Sequence, residues 1–444
     1  MPTIACHTLG CKVNQYDTQA MLELFLQRGY TPGSMEEEAD VYLLNTCTVT
    51  GTGDKKSLQM ARRLKRLHPG SRLILCGCLA QKSGDSLLSR TGADLILGTQ
   101  RRAEVVDLLE QVLSDGKPRC AVEPLAQGVP FESLRISYQE EHTRASLKIQ
   151  EGCDNHCTYC IIPKIRGNFR SVPMEVLIKE AKELVANGVK ELILVAQETT
   201  VYGKDLYGKK TLPKLLDALN EISGLVWIRI LYCYPEEIDD ELIAAIKRNT
   251  KVCHYLDIPI QHASDEILRR MGRRTSRQEL EDIVALLRRE IPDICLRTTI
   301  ISGFPGETQE HHEDVWHFVN DTEFDRLGVF TYSCEEDTPA ALMENQVPQE
   351  IKEIRRTELM ELQQEIAFEK AEDRIGDRFL VMIEGSLPED GVYIGRTYMD
   401  APNVDGYIFV KTEKALMTGD FIDVVVTEAN EYDLIGEPED EYCK

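Results

Sequence analysis

Along residues 1–112, short apolar runs alternate with amphipathic stretches: "TIACHTL", then 15–29; "DVYLLN", then 53–67; "RLILC"; and "DLILG", then 101–112. Short unbroken apolar runs read as buried strands, and apolar residues recurring every three or four positions read as helices. Strands alternating with helices predict a doubly wound parallel sheet over residues 1–115. Residues 116–143 are polar and contain Pro118, Pro124 and Pro130, which predicts a linker. The strand-helix rhythm then resumes, with strands near 145–150, 190–196, 226–231, 254–259, 294–301 and 326–331. Six such units predict a complete or partial β/α barrel in residues 144–372, ending in one long charged helix at 349–372. From 373 to 444 the period shortens to the β runs "RFLVMIEG", "VYIG", "GYIFV" and "DFIDVVV", spaced like a small β-barrel. The predicted fold class is α/β with this β-barrel appended, and no internal repeat is visible.

Composition narrows the chemistry. The beginning of the sequence has no apolar segment behind a basic start, and no run reaches the roughly 18 apolar residues of a membrane span. A cytoplasmic protein with no membrane contact is therefore expected. In that reducing compartment, 14 cysteines in 444 residues point to metal binding or catalysis, with some as small buried side chains, rather than to disulfides.

Three thiols stand out in "EGCDNHCTYCIIPKIRG", where Cys153, Cys157 and Cys160 follow directly on the first strand of the predicted barrel. Barrel active sites lie at that end of the strands. A structural zinc ion would need a fourth ligand; His156 is adjacent to Cys157 and poorly placed to share an ion with it, so it is expected to be a loop side chain. Three thiolates suit an iron–sulfur cluster. A four-iron cubane held by three thiolates keeps one iron open for a substrate.

The first domain supplies a second set. Cys11, Cys47 and Cys78 each follow one of three successive strands, at the carboxyl ends where open α/β sheets bind ligands. Cys76 competes with Cys78, because simple alternation along the strand puts both on one face. Any one of these is unremarkable as a buried cysteine, and it is the threefold coincidence that marks a site. Cys6, Cys120, Cys233, Cys253, Cys295, Cys334 and Cys443 read as packing or surface residues.

The C-x3-C-x2-C spacing, with aromatic Tyr159 before the third cysteine, resembles the radical S-adenosylmethionine (SAM) signature. The two three-cysteine sets and the final β-barrel resemble the radical SAM methylthiotransferases over nearly the whole chain. That resemblance implies two [4Fe-4S] clusters: an auxiliary one on Cys11, Cys47 and Cys78, and one on Cys153, Cys157 and Cys160 that binds SAM and cleaves it to a 5′-deoxyadenosyl radical. It also implies a TRAM domain at 373–444 and a reductant such as flavodoxin or ferredoxin. SAM-binding candidates are Tyr159; Gln197 and Glu198 in "LVAQETT"; Gln261 in "YLDIPIQHAS"; and Gly303 and Glu307 in "RTTIISGFPGE". Glu198 and Glu307 have a plainer reading as helix-start carboxylates. No further acid or base is identified.

Within the family, "LYCYPEEI", "TYMDAPNVDG" and "YDLIGE" resemble the branch that methylthiolates the β-carbon of an aspartate in small-subunit ribosomal protein twelve. "TLGCKVNQYDTQAM" is closer to the branches that modify an adenosine in tRNA, and Asp337 stands where the family usually has glycine. Methylthiolation of tRNA is thus the alternative reading, and a non-enzymatic iron–sulfur sensor or carrier is the alternative of another class. A net charge of −24 disfavours general binding to phosphate backbones. Residues 373–444, with 17 acidic and six basic residues, suit a basic protein target, and Asp400 and Asp405 are the acids expected to steer it. The six basic residues of "KKSLQMARRLKRLHPG" are the exception, a solvated face or a contact to ribosomal RNA.

Overall fold

The computed structural model describes residues 1–48, 51–125, 132, 134–136, 143–387 and 391–442. Its first unit is a parallel sheet built from β1 (Thr3–Thr8), α1 (Lys12–Gln27), β2 (Thr31–Pro32), β3 (Val41–Thr46), α2 (Gly51–Leu67), β4 (Arg72–Gly77), α3 (Cys78–Ser83), α4 (Ser86–Thr91), β5 (Leu95–Leu97), α5 (Val105–Asp115) and β6 (Arg119–Ala121). The strand order is β2-β1-β3-β4-β5-β6. Direction of winding reverses between β1 and β3, and a crevice opens at such a switch point beyond the carboxyl ends of the strands. β6 lies inside the stretch read as linker. Part of that stretch falls outside the described residues, and Leu134 and Ile136 within it are buried in the central core.

The central unit comprises β7 (Arg144–Lys148), β8 (Gln150–Glu151), α6 (Ile162–Arg166), β9 (Arg170–Ser171), α7 (Met174–Ala186), β10 (Glu191–Val195), α8 (Lys204–Tyr207), α9 (Leu212–Asn220), β11 (Trp227–Ile230), α10 (Asp240–Arg248), β12 (Val252–Gln261), α11 (Asp265–Arg270), α12 (Arg277–Glu290), β13 (Cys295–Ser302), α13 (Gln309–Thr322), β14 (Arg326–Thr331) and α14 (Gln349–Glu372). Six parallel strands run β14-β13-β12-β11-β10-β7 in an open, partial barrel. Alternation divides each strand between two cores. Leu192, Leu194, Ile228 and Ile230 face the outer helices, whereas Ile193, Val195, Trp227, Cys253 and Tyr255 face the concave side.

That concave side is filled by the third unit, β15 (Arg378–Leu387), β16 (Val392–Arg396), β17 (Ile408–Lys411), β18 (Phe421–Asn430), β19 (Asp433–Pro438) and α15 (Glu439–Tyr442). Its five strands close as β15-β16-β17-β19-β18. Val381, Met399, Ala401 and Val410 share one core with the concave faces of β10 to β13. Ion pairs cross the same boundary: Arg396 reaches Glu191 at 2.5 Å, and Arg326 reaches Asp400 at 2.7 Å. Both acids expected to steer a partner are spent inside. Asp400 is 3% exposed, and Asp405 accepts from Arg297 at 3.3 Å and from the Tyr255 hydroxyl at 3.0 Å. The sequence pattern showed the acids but not which strands they would face.

The first and central units are joined by buried charge. Asp17 on α1 and Glu151 on β8 are met by Arg102, Lys148 and Arg166, with Asp17 2.7 Å from Arg166 and Glu151 2.7 Å from Arg102. Unpaired, any of these charges would cost several kcal/mol. Beside them Glu180 of α7 accepts from the Tyr16 hydroxyl at 2.8 Å and from the Ile136 amide at 3.2 Å. Burial raises its pKa from 4.5 to about 7, against the lowering effect of those two donors. Because the folded value exceeds the unfolded one, the stability tied to protonated Glu180 is complete below pH 4.5 and is lost as pH rises through 7. Glu180→Gln keeps the acceptor without the charge. We expect its thermal midpoint to exceed that of the native protein at pH 8, by up to about 3 kcal/mol in stability, and the two to coincide below about pH 5. Equal midpoints at pH 8 would refute this.

Candidate functional site

Gln150↔Ser171 and Glu151↔Arg170 pairing between β8 and β9 ties both ends of the cysteine segment, so it leaves the sheet and returns as one closed loop. Gly152, at φ 85, is packed so closely that a Cβ would lie 2.1 Å from the Asn168 carbonyl oxygen. Its amide donates to Gln197 Oε1 at 2.6 Å, and Asn155 donates to Glu198 at 2.8 Å. Gln197 and Glu198, beyond β10, therefore brace the loop from beneath.

Cys153, Cys157 and Cys160 line one cavity of about 400 Å³. Its wall also carries Tyr159, Gln197 and Gln261 from among the sequence candidates. Burial pushes the Cys153 and Cys160 thiols up to about 12, so without a cation to bind they stay protonated. Among the described residues, no three His, Cys, Asp or Glu side chains converge as a single metal ion would need. Separated soft thiols on a largely apolar wall fit a polynuclear cluster better than zinc. His156 has φ 50 and is exposed, turned out of the cavity.

The remaining candidates lie elsewhere. Glu198 is 1% exposed, with its pKa raised to about 7 by burial; no helix starts there, so it is not the helix-start carboxylate of the plainer reading. Gly303, at φ 74, would place a Cβ 2.2 Å from Lys352 Cγ. Glu307 accepts from the Gly303 amide at 2.7 Å and from Arg355 at 2.9 Å. Burial works to raise Glu307, but His262 and Arg355 hold it below the ordinary range. Gly303 and Glu307 thus form the turn between β13 and α13, whose Phe304 packs edge-on against Tyr159 of the cavity wall. Asp337 takes φ 71, the backbone region that favours glycine.

Several cavity groups carried no signal in spacing or periodicity. The Tyr234 hydroxyl lies 2.6 Å from Cys157 Sγ, and Arg273 stacks 3.9 Å over the Tyr234 ring. Tyr232, at φ 62, lines the wall near Lys12 and Arg297. Arg297 is fixed by Asp257 at 3.0 Å. Ala401 and Val404 of the β16–β17 loop close the wall, so all three units contribute.

The second set of thiols meets at the switch point. Cys11 caps α1 after β1, Cys47 follows β3 and Cys78 opens α3 after β4, on three neighbouring strands. A Cβ on Gly10 would be 3.0 Å from Cys47 Sγ. Cys78 lies 3.9 Å from Asn14 of α1 and receives Arg166 at 3.8 Å; burial raises its pKa, with Arg166 opposing. Cys76 points away into the apolar core. The alternation that equated it with Cys78 breaks at Gly77, whose φ of 89 turns the chain where a Cβ would strike Asn45. Cys78 instead packs on Ile161 and Ile165 of the loop that carries the other thiols. Lys12, adjacent to Cys11, lines the cavity that holds Cys153, Cys157 and Cys160, so the second set adjoins that cavity. Of the other cysteines, Cys233, Cys253 and Cys295 are buried, Cys334 is exposed, Cys6 and Cys120 are half-buried, and Cys443 lies outside the described residues.

Three family models match in succession: the uncharacterized protein family UPF0004 over residues 3–98, the radical SAM superfamily over 147–319 and the TRAM domain over 375–438. Among similar curated proteins, "Ribosomal protein uS12 methylthiotransferase RimO" of Lachnoclostridium phytofermentans is 54% identical, covering 97% of this chain and 99% of its own. Its namesake in Desulfitobacterium hafniense is 43% identical over 98% of each chain. Among solved structures, the radical SAM methyltransferase TsrM from Kitasatospora setae, with cobalamin and a [4Fe-4S] cluster bound, shares the fold at a TM-score of 0.55 and 13% identity, over 85% of this chain and 76% of its own.

Proposed function

The chain belongs to the RimO family of ribosomal protein uS12 methylthiotransferases, and on that premise we propose that it adds a methylthio group to the β-carbon of an aspartate in uS12. The observation that carries this reading is one cavity, walled by all three units, with a three-thiol set on its wall and a second set adjoining it. Cys153, Cys157 and Cys160 would hold the SAM-binding [4Fe-4S] cluster; Cys11, Cys47 and Cys78 would hold the auxiliary one. When bound, these cofactors and SAM supply hydrogen abstraction from an unactivated carbon and delivery of sulfur to it.

The chain's own residues bind, orient and exclude water. Tyr159, Tyr234 and Gln261 shape the SAM side of the cavity. Arg297 and Lys12 are the cations on its wall, suited to hold the target carboxylate while its β-carbon lies between the two thiol sets. Leu231 and Tyr232 give the wall apolar surface, with Phe330 and Val404 at its solvent-facing rim. Glu198 and Glu307 position the loops that carry these groups rather than touching SAM.

Among the described residues no helix is long and apolar enough to cross a membrane. A cytoplasmic site of action, with flavodoxin or ferredoxin as electron donor, fits a substrate made in that compartment. The test is to express the chain in cells lacking their own uS12 methylthiotransferase and to weigh uS12 and tRNA nucleosides by mass spectrometry. A gain of about 46 Da on uS12 aspartate, the mass of a methylthio group replacing hydrogen, is expected. Methylthiolated adenosine in tRNA with unmodified uS12 would overturn the assignment.

A further inference from the structure

Helix α2 begins four residues after Cys47 and is cationic in a chain with 75 acidic and 51 basic residues. In such a chain most cations find carboxylates, and Lys65 does so, on Asp94 at 2.7 Å. Lys55, Lys56, Arg63 and Arg66 do not. All four are exposed and, among the described residues, none has a carboxylate within 4.0 Å. Arg62, also exposed, donates to the Arg90 backbone carbonyl of α4 at 3.0 Å. Lys55, Gln59, Arg62 and Arg66 follow each other at three- and four-residue spacing and line one shallow groove with Arg63. The one acid on the helix, Asp54, is directed to Lys82 at 3.6 Å.

We infer that this face of α2 docks on the phosphate backbone of RNA, the RNA that surrounds uS12 in the small ribosomal subunit; the inference rests on the uS12 reading above. Charge decides the occupant. A protein that lives on RNA is itself cationic, so this surface repels free uS12 and suits the polyanion around it. From Lys55 to Arg66 the helix rises about 16 Å, enough to meet several phosphates, and its first turn adjoins Cys47. RNA held there would place a neighbouring protein segment at the mouth of the cavity. It also reconciles the acidity of the chain with an RNA-bound target: one face attracts and the rest repels, which fixes orientation.

The experiment uses the full-length, cluster-loaded chain and its Lys56→Gln/Arg63→Gln/Arg66→Gln variant, with purified small subunits and free uS12 as separate probes. Thermal midpoints verify that the variant is folded. Affinity for small subunits is expected to fall about tenfold or more in the variant, and the slope of log K against log salt to shrink by about 2 to 3, one phosphate per cation removed. Modification of free uS12 should not fall, because none of the three residues lines the cavity. Equal subunit binding and equal salt slopes would overturn the inference. A matching loss on free uS12 would also overturn it, by assigning the face to protein. Failure of the uS12 reading itself is separately visible, as a native chain that modifies neither form of uS12.

Discussion

Cys157→Ala is expected to abolish SAM cleavage, measured as 5′-deoxyadenosine released under reducing conditions, whereas Cys47→Ala is expected to keep cleavage and lose methylthio transfer. The two thiols lie on different elements of different units, one in the loop between β8 and β9 and the other beyond β3. Cys157 is 7% exposed beside Tyr234, so its loss removes one of the three proposed ligands and leaves the Tyr234 phenol without that partner. Cys47 faces Gly10 across the switch point of the first sheet. Iron analysis should find one cluster lost in each variant. Normal transfer by Cys47→Ala with full iron content would remove that residue from the auxiliary site, and loss of cleavage in both variants would show that the two sites fold as one.

What the sequence made legible follows from which physical signals are local. Strand-helix alternation is local, and it located β1, β3, β4 and the six strands of the partial barrel. Cysteine spacing is local too, and it brought Cys153, Cys157 and Cys160 to one wall. Two-residue strands such as β2 give no periodic signal at all. Cys76 and Cys78 could not be ranked because a single positive φ at Gly77 overrides alternation. Glu198 and Glu307 lie just past the ends of barrel strands, yet their partners Asn155 and Arg355 come from other segments, and those partners turn them into braces. Arg297 and Tyr232 were invisible for the same reason: a half-buried cation on a strand acquires meaning only from what the fold places opposite it.

The acidic β-barrel is where charge counted from sequence and charge seen in the fold diverge most, and that difference yields the second large effect. If Asp405 steered a basic partner, neutralising it would weaken association in a salt-dependent manner. In the fold it accepts from Ala401 N at 2.8 Å, from the Tyr255 hydroxyl at 3.0 Å and from Arg297 at 3.3 Å, holding the β16–β17 loop against the cavity. Removing one member of a buried hydrogen-bonded ion pair costs about 3–5 kcal/mol, enough to release a loop. Asp405→Ala is therefore expected to lower methylthio transfer at least tenfold while 5′-deoxyadenosine still forms, because the space that excludes water has opened while the thiol loop is intact. That uncoupling should be nearly independent of salt. Asp423→Asn, on an exposed position of β18, is the matched control and should leave both products unchanged. Deleting residues 373–444 cannot stand in for this test, since Val381, Ala401 and Val410 complete the concave core of β10 to β13 and their removal would expose it. Coupled turnover in Asp405→Ala equal to that of the native chain would show that the loop closes the cavity without this carboxylate.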